Sequence, residues 1–164
     1  MSASDDETAT AYHEAGHAFT AAYAGGRVLS VSIAPDNDDG PHRYGDTQVA
    51  WRRAAFAPLV LAEKLVLVAL GGPVAEMIYT GEPFHPALVA EWSADWQHAW
   101  SEAAALRPEE RPRTVWLEAR TAGLHGLLSD DRHWEAIAGV ADHLLAHETL
   151  DEEMFAEVVS AWLG

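Results

Sequence analysis

His13, Glu14 and His17 form a His-Glu-x-x-His motif, the pattern in this sequence most suited to metal chemistry. The surrounding residues are typical of a helix, and residues four apart on a helix lie one above the other on the same face. Both imidazoles can therefore bind one metal ion, and Glu14 lies close enough to hydrogen-bond a water on that ion. Two imidazoles and one further ligand leave one position of a tetrahedral Zn²⁺ ion open, as in hydrolytic zinc sites.

The segment that carries the motif is predicted to be a helix over residues 4–24. Ser4 and Glu7 have the spacing of a capping box, and Gly25-Gly26 is a typical helix end. Small and aromatic side chains between these ends predict a closely packed helix surface. Short motifs also arise by chance, so the alternative is an amphipathic helix with two surface histidines and no metal.

The composition predicts one globular domain over residues 1–164, since 49% of the residues are hydrophobic. The chain contains no cysteine, which excludes disulfide bonds, thiolate zinc sites and cysteine nucleophiles. Any metal site must therefore use His, Asp and Glu side chains. The acidic N-terminal residues do not resemble a signal peptide, which begins with basic and then apolar residues.

The charge balance argues against two classes of partner. There are 26 acidic and 10 basic residues, giving a net charge of −16 that opposes binding to nucleic acid or to anionic lipid surfaces. The apolar segments 54–62 and 65–75 are separated by Glu63-Lys64, and neither reaches the roughly 18–20 residues of a membrane span. We therefore expect a cytoplasmic protein that binds neither nucleic acid nor membrane.

Hydrophobic periodicity predicts a mainly α fold with a small β-sheet just after the metal-binding helix. Two segments alternate as strands do, and a loop rich in Pro, Asn, Asp and Gly separates them. The remainder is predicted to be helical, with a bend in the first of these helices at the Gly-Gly-Pro sequence 71–73. The predicted strands are 28–33 and 47–51, the loop is 35–45, and the helices are 58–79, 88–106, 112–128, 131–146 and 151–163.

A third metal ligand is needed, and the sequence offers several. The metzincin pattern is excluded, because Thr20 and Tyr23 stand where it requires Gly and His. A carboxylate at Asp95 lies among large apolar residues and would be costly to bury without a partner, although it can equally face water. The residues alone leave the choice open among Glu76, His85, Glu91, Asp95 and His98.

Five segments in order resemble the peptidase domain of the FtsH-type ATP-dependent zinc metalloproteases. Residues 12–18 are similar to the zinc-binding helix of that family, and 28–33 followed by 45–48 is similar to its strand, loop and Gly-x-Thr-Gln strand. The Leu-Gly-Gly-x-x-Ala-Glu-x-Ile sequence 70–78 resembles a family helix. The segment 93–95 is similar to the family's Ser-Asn-Asp, and 148–151 matches its Glu-Thr-Leu-Asp turn.

This resemblance implies an FtsH-like helical peptidase fold with one Zn²⁺ per chain. His13, His17 and Asp95 would bind the ion, and Glu14 would be the general base. Asp95 is thereby preferred over His98, one turn further along the same predicted helix. Glu76 would lie near the site without binding the metal.

The chain also departs from the family. It has no Gly-x-x-x-x-Gly-Lys-Ser/Thr phosphate loop, so we expect it to bind no ATP and to act without an unfoldase module. Pro73, Ala94, Trp96 and Trp100 replace the family's residues, which affects substrate access and ring assembly more than metal binding.

The sequence therefore predicts a stand-alone zinc metalloendopeptidase that hydrolyses peptides or unfolded segments, and a homo-oligomer is left open. One alternative is a catalytically silent, zinc-stabilised binding or regulatory module, although retention of Glu14 favours an enzyme. A second alternative is a helical interaction domain without a metal.

Overall fold

A computed structural model describes residues 3–34, 46–82 and 85–163, and within these ranges the chain is mainly α-helical. The predicted fold class is confirmed. The predicted loop 35–45 lies outside the described residues. The six helices of the described part are α1 Ala3–Tyr23, α2 Pro58–Thr80, α3 Ser93–Ala103, α4 Glu110–Leu128, α5 Asp131–His147 and α6 Glu152–Leu163.

A three-stranded antiparallel sheet follows α1. Its strands are β1 Arg27–Ser32, β2 Asp46–Ala50 and β3 Thr149–Asp151, and the central strand is β1. The prediction of two strands was incomplete, because β3 is too short to show alternation in the sequence. Its pairing is fixed by tertiary contacts, since Leu150 is fully buried and Thr149 Oγ1 lies 2.9 Å from Ser32 Oγ.

The central helix of the fold is α2, which packs against α1, α3 and α4. Its 23 residues form one helix, which confirms the predicted helix 58–79 to within one residue and includes Glu63-Lys64 between the two apolar segments. By length and mean hydropathy (1.7) it could cross a membrane, but 56% of its apolar stretch is buried against the rest of the protein. Pro73 lies inside this helix, which ends at Gly81 in the left-handed conformation.

Two predicted helix boundaries were also wrong. α1 begins at Ala3, so Ser4 lies inside the helix and is not its N-cap. The predicted helix 88–106 is replaced by two 3₁₀ turns, Pro86–Leu88 and Ala90–Trp92, followed by the shorter α3. The apolar residues that suggested a longer helix do not all face the core, since Leu88 is 84% exposed.

α1 and α2 cross at two glycines, which allows their backbones to touch. A Cβ atom on Gly16 would lie 2.3 Å from the carbonyl oxygen of Gly71, and one on Gly71 would lie 2.7 Å from the carbonyl oxygen of Gly16. No side chain larger than hydrogen fits at either position. This close crossing places the histidine face of α1 directly over α2.

The opposite side of α1 is covered by α5. The Trp134 ring stacks on Tyr12 with 5.3 Å between ring centroids, and Tyr12 also stacks on Tyr79 of α2 at 4.3 Å. His133 packs against Phe19 further along α1. The metal-motif helix is thus held between α2 on one side and α5 on the other.

Candidate metal centre

The imidazole rings of His13 and His17 on α1 bring their Nε2 atoms close together, 3.1 Å apart. Each ring is held through its other nitrogen. His13 Nδ1 lies 2.8 Å from Glu76 Oε1, and His17 Nδ1 lies 2.7 Å from the carbonyl oxygen of Val68. Because both of these partners are acceptors, each ring carries a proton on Nδ1. The Nε2 atom of each ring is therefore the one that a metal ion could bind.

Asp95 supplies a carboxylate to this pair from the first turn of α3. Its Oδ2 lies 2.8 Å from His13 Nε2, and its Oδ1 lies 3.3 Å from His17 Nε2. His98 lies one turn further on but is 61% exposed and pairs with Glu102. Asp95 is therefore the candidate that the fold brings to both imidazoles.

The other candidate ligands lie elsewhere. Glu76 Oε1 accepts hydrogen bonds from His13 Nδ1 and, at 3.0 Å, from Trp92 Nε1, so it lies behind the His13 ring and orients it. His85 pairs with Glu118 of α4 at 3.1 Å. Glu91 lines the cleft in front of the centre, and in the part of the chain that the structure describes it pairs with neither imidazole.

Glu14 lies beside the centre and is largely buried. Donor atoms of His13, Glu14 and His17 all lie within 4.8 Å of one another, so proximity alone would also allow Glu14 as a ligand. However, Thr47 Oγ1 donates a hydrogen bond of 2.8 Å to Glu14 Oε1, whereas Asp95 touches both Nε2 atoms directly. Asp95 is therefore better placed than Glu14 to share a metal ion with the two imidazoles, and Glu14 lies next to this group.

The spacing of the three donors fits a zinc ion. Atoms bound to tetrahedral zinc at roughly 2.0–2.1 Å lie about 3.3 Å from one another. The two Nε2 atoms are 3.1 Å apart, and Asp95 reaches them through different oxygens, Oδ2 at 2.8 Å from His13 and Oδ1 at 3.3 Å from His17. Each of these separations therefore needs to widen by at most about 0.5 Å. Two imidazole nitrogens and one carboxylate oxygen are also donors that zinc accepts.

The absence of a side chain at Gly72 makes room for the two imidazoles. A Cβ atom at this position would be 2.4 Å from His17 Nε2 and 2.7 Å from His13 Nε2. Any other side chain would therefore collide with both Nε2 atoms. The glycine pair in α2 has two separate roles, because Gly71 permits the helix crossing and Gly72 accommodates the histidines.

In the metal-free protein, the surroundings of His13, His17 and Asp95 favour the charged form of each side chain. Burial alone would lower the pKa of His13, but its hydrogen bonds to Asp95 and Glu76 raise that pKa to about 10. Burial also opposes protonation of His17, yet the charge of Asp95 raises its pKa. Burial would raise the pKa of Asp95, but the neighbouring His17 and His13 hold it well below its usual range, so this carboxylate stays ionised.

We expect zinc binding to the metal-free protein to release at least one proton at pH 7. His13 is protonated below about pH 10 in the metal-free state, and a protonated imidazole cannot ligate. The apparent zinc affinity should therefore rise with pH from about 6 towards 10, by up to roughly tenfold per unit. Calorimetric titrations in buffers of different ionisation enthalpy measure the number of protons released.

The control for this titration is His98→Ala, because His98 lies in the same cleft but outside the ligand group. This variant should release as many protons as the unmodified protein. A binding enthalpy that is independent of the buffer would contradict the protonation state of His13.

A cleft of about 630 Å³ opens in front of the centre. It is lined by residues of β2 and α2, of the 3₁₀ turn before α3 and of the start of α3. His13, Glu14, His17 and Asp95 all line this cleft, so a bound molecule can reach the ligand group.

Comparison with known proteins gives no family assignment. No protein-family model matches this chain, and no curated protein matches it significantly.

Proposed function

We propose that this protein is a zinc-dependent metalloendopeptidase that hydrolyses peptide bonds in peptides or unfolded segments. The observation that carries the proposal is the convergence of two imidazole Nε2 atoms and the Asp95 carboxylate, with the Glu14 carboxylate beside them in an open cleft. Structural zinc sites are usually closed by four protein ligands, whereas catalytic sites have three and one open position. The described residues supply three.

The resemblance of five sequence segments to the peptidase domain of FtsH-type proteases supports the same proposal. It assigns ligation to the positions of His13, His17 and Asp95, which are the three that meet in space. In the proposed enzyme no ATP is used and no nucleic acid or membrane is bound, and the reaction takes place in the cytoplasm.

A zinc ion bound by these residues would polarise the peptide carbonyl and acidify the attacking water. Glu14 takes the proton from that water. Because Thr47 Oγ1 donates to Oε1, the carboxylate is fixed in orientation, and its second oxygen is the one that accepts the proton. As the carbon–nitrogen bond breaks, Glu14 returns the proton to the leaving amine. Glu76 and the Val68 carbonyl keep the two imidazoles in place throughout.

The purified protein should contain about one zinc per chain and should cleave an unfolded test protein, with cleavage abolished by a chelator and restored by zinc. His13→Ala, His17→Ala and Asp95→Ala should each lower the zinc content sharply, because each removes one of three ligands. Metal analysis by mass spectrometry and a fluorescent casein assay measure the two quantities.

His85→Ala and His98→Ala are the matched controls, since both histidines lie outside the ligand group and should leave zinc content unchanged. An Asp95→Ala protein with full zinc would place the third ligand elsewhere. A zinc-loaded protein that cleaves nothing in a broad peptide library would instead support the silent binding module.

A further inference from the structure

We propose that the cleft selects cationic peptides, in which a Lys or Arg stands next to an apolar residue that packs on Trp51. The cleavage of such peptides rests on the proposed function, but their binding does not and is tested separately. The selection arises from two kinds of residue in the lining of the cleft, one apolar and aromatic, the other acidic.

The apolar residues of the lining include Trp51, Val49 of β2 and Leu65 of α2. The Trp51 ring is held in place. A Cβ atom on Gly26 would lie 2.9 Å from the Trp51 ring and 2.8 Å from Val49, so the absence of a side chain there lets both pack down. Phe56 meets the Trp51 ring edge-on, with 6.2 Å between centroids. A fixed aromatic surface loses little entropy when an apolar side chain packs on it.

The acidic residues of the lining are Asp46 at the start of β2 and Glu91 in the 3₁₀ turn before α3, both exposed. Among the described residues that line the cleft there is no Lys or Arg. The two carboxylates at the centre, Glu14 and Asp95, would offset the double charge of a bound zinc ion. Asp46 and Glu91 then remain as an uncompensated negative charge facing the peptide.

The charge of the whole chain acts in the same direction. A net charge of −16 attracts cations and repels anions over distances of about one Debye length, roughly 8–10 Å at physiological salt. An acidic peptide would be repelled on approach and would meet two further carboxylates in the cleft. A basic peptide would be attracted at both stages.

Binding is tested with the zinc-loaded Glu14→Gln protein, so that no peptide is consumed. Two fluorescent peptides share a central Phe and carry Lys in one case and Glu in the other on both sides of it. Fluorescence anisotropy at low salt should show at least about tenfold tighter binding of the Lys peptide, because local and long-range attraction add. The preference should shrink at high salt, where exposed charges are screened.

The double variant Asp46→Asn with Glu91→Gln should reduce this preference by about 3–10-fold, as expected for two exposed ion pairs. The control is Glu153→Gln with Glu157→Gln, which removes the same charge from exposed positions on α6 outside the cleft. It should leave nearly all of the preference. Trp51→Ala should weaken both peptides to a similar extent and leave the ratio between them unchanged.

Equal binding of the two peptides, no binding of either, or an equal effect of the cleft and α6 variants would overturn this inference. The proposed function is tested apart from it, by cleavage of the same peptides with the unmodified protein. Selective binding without cleavage would retain the charge selection and reject the peptidase. Cleavage of both peptides at equal rates would retain the peptidase and reject the charge selection.

Discussion

Replacement of Glu14 by Gln is expected to lower the rate of peptide cleavage by about 10²–10⁴-fold, the usual contribution of a general base. Gln has the same shape and still offers an oxygen to the Thr47 hydroxyl, so the local structure should persist. The zinc content should also remain unchanged, because Glu14 is not among the three proposed ligands. The turnover number and the zinc content of the same preparation are the quantities to measure.

Glu91→Gln is a matched control for this experiment, since it neutralises another carboxylate in the same cleft. With an uncharged peptide as substrate, it should reduce the rate by no more than a few-fold. A Glu14→Gln protein with full activity would remove Glu14 from the mechanism. Loss of zinc from that protein would instead make Glu14 a ligand.

Gly72→Ala is expected to reduce the zinc content from about one ion per chain to nearly none. The new Cβ atom would lie 2.4 Å from His17 Nε2, well inside van der Waals contact, and 2.7 Å from His13 Nε2. α2 cannot easily move away, because it already touches the backbone of α1 through Gly71 and Gly16. The imidazoles must turn out of their positions, and peptide cleavage should be lost together with the metal.

Gly123→Ala in α4 provides the contrast, because a Cβ atom there would meet nothing within 4 Å. The same substitution should raise the free energy of unfolding by about 0.4–1 kcal/mol, since alanine is the better helix former and has less entropy to lose. Metal analysis and chemical denaturation of both variants separate the two effects. A Gly72→Ala protein with full zinc would contradict the steric role of Gly72.

The part of the centre that could be predicted from the residues alone is local in sequence. His13, Glu14 and His17 lie on consecutive turns of one helix, so helical periodicity is sufficient to place them together. Asp95 and Glu76 are 82 and 63 residues from His13, and the residues alone left Asp95 one of five candidates. Only the family resemblance separated Asp95 from His98.

Several residues that support the centre were missed. Thr47 and the Val68 carbonyl orient Glu14 and His17, and the Trp92 indole binds Glu76, but each role depends on which elements pack together. No spacing rule connects them to the motif. Gly72 could have been suspected, because a glycine pair inside a strongly apolar helix lowers helix stability unless close packing requires it.

The sheet also limits the order in which the helices and strands of this chain can pack together during folding. Ser32 of β1 and Thr149 of β3 are 117 residues apart, and α5, which supports the back of α1, comes from the same late part of the chain. Closing so long a loop is slow and is favourable only once many contacts form together. During synthesis the histidine helix leaves the ribosome before α5 and β3, so it lacks Trp134 and the third strand until those segments have followed. A nascent chain therefore carries the His-Glu-x-x-His motif well before α5 and β3 can hold its helix in place.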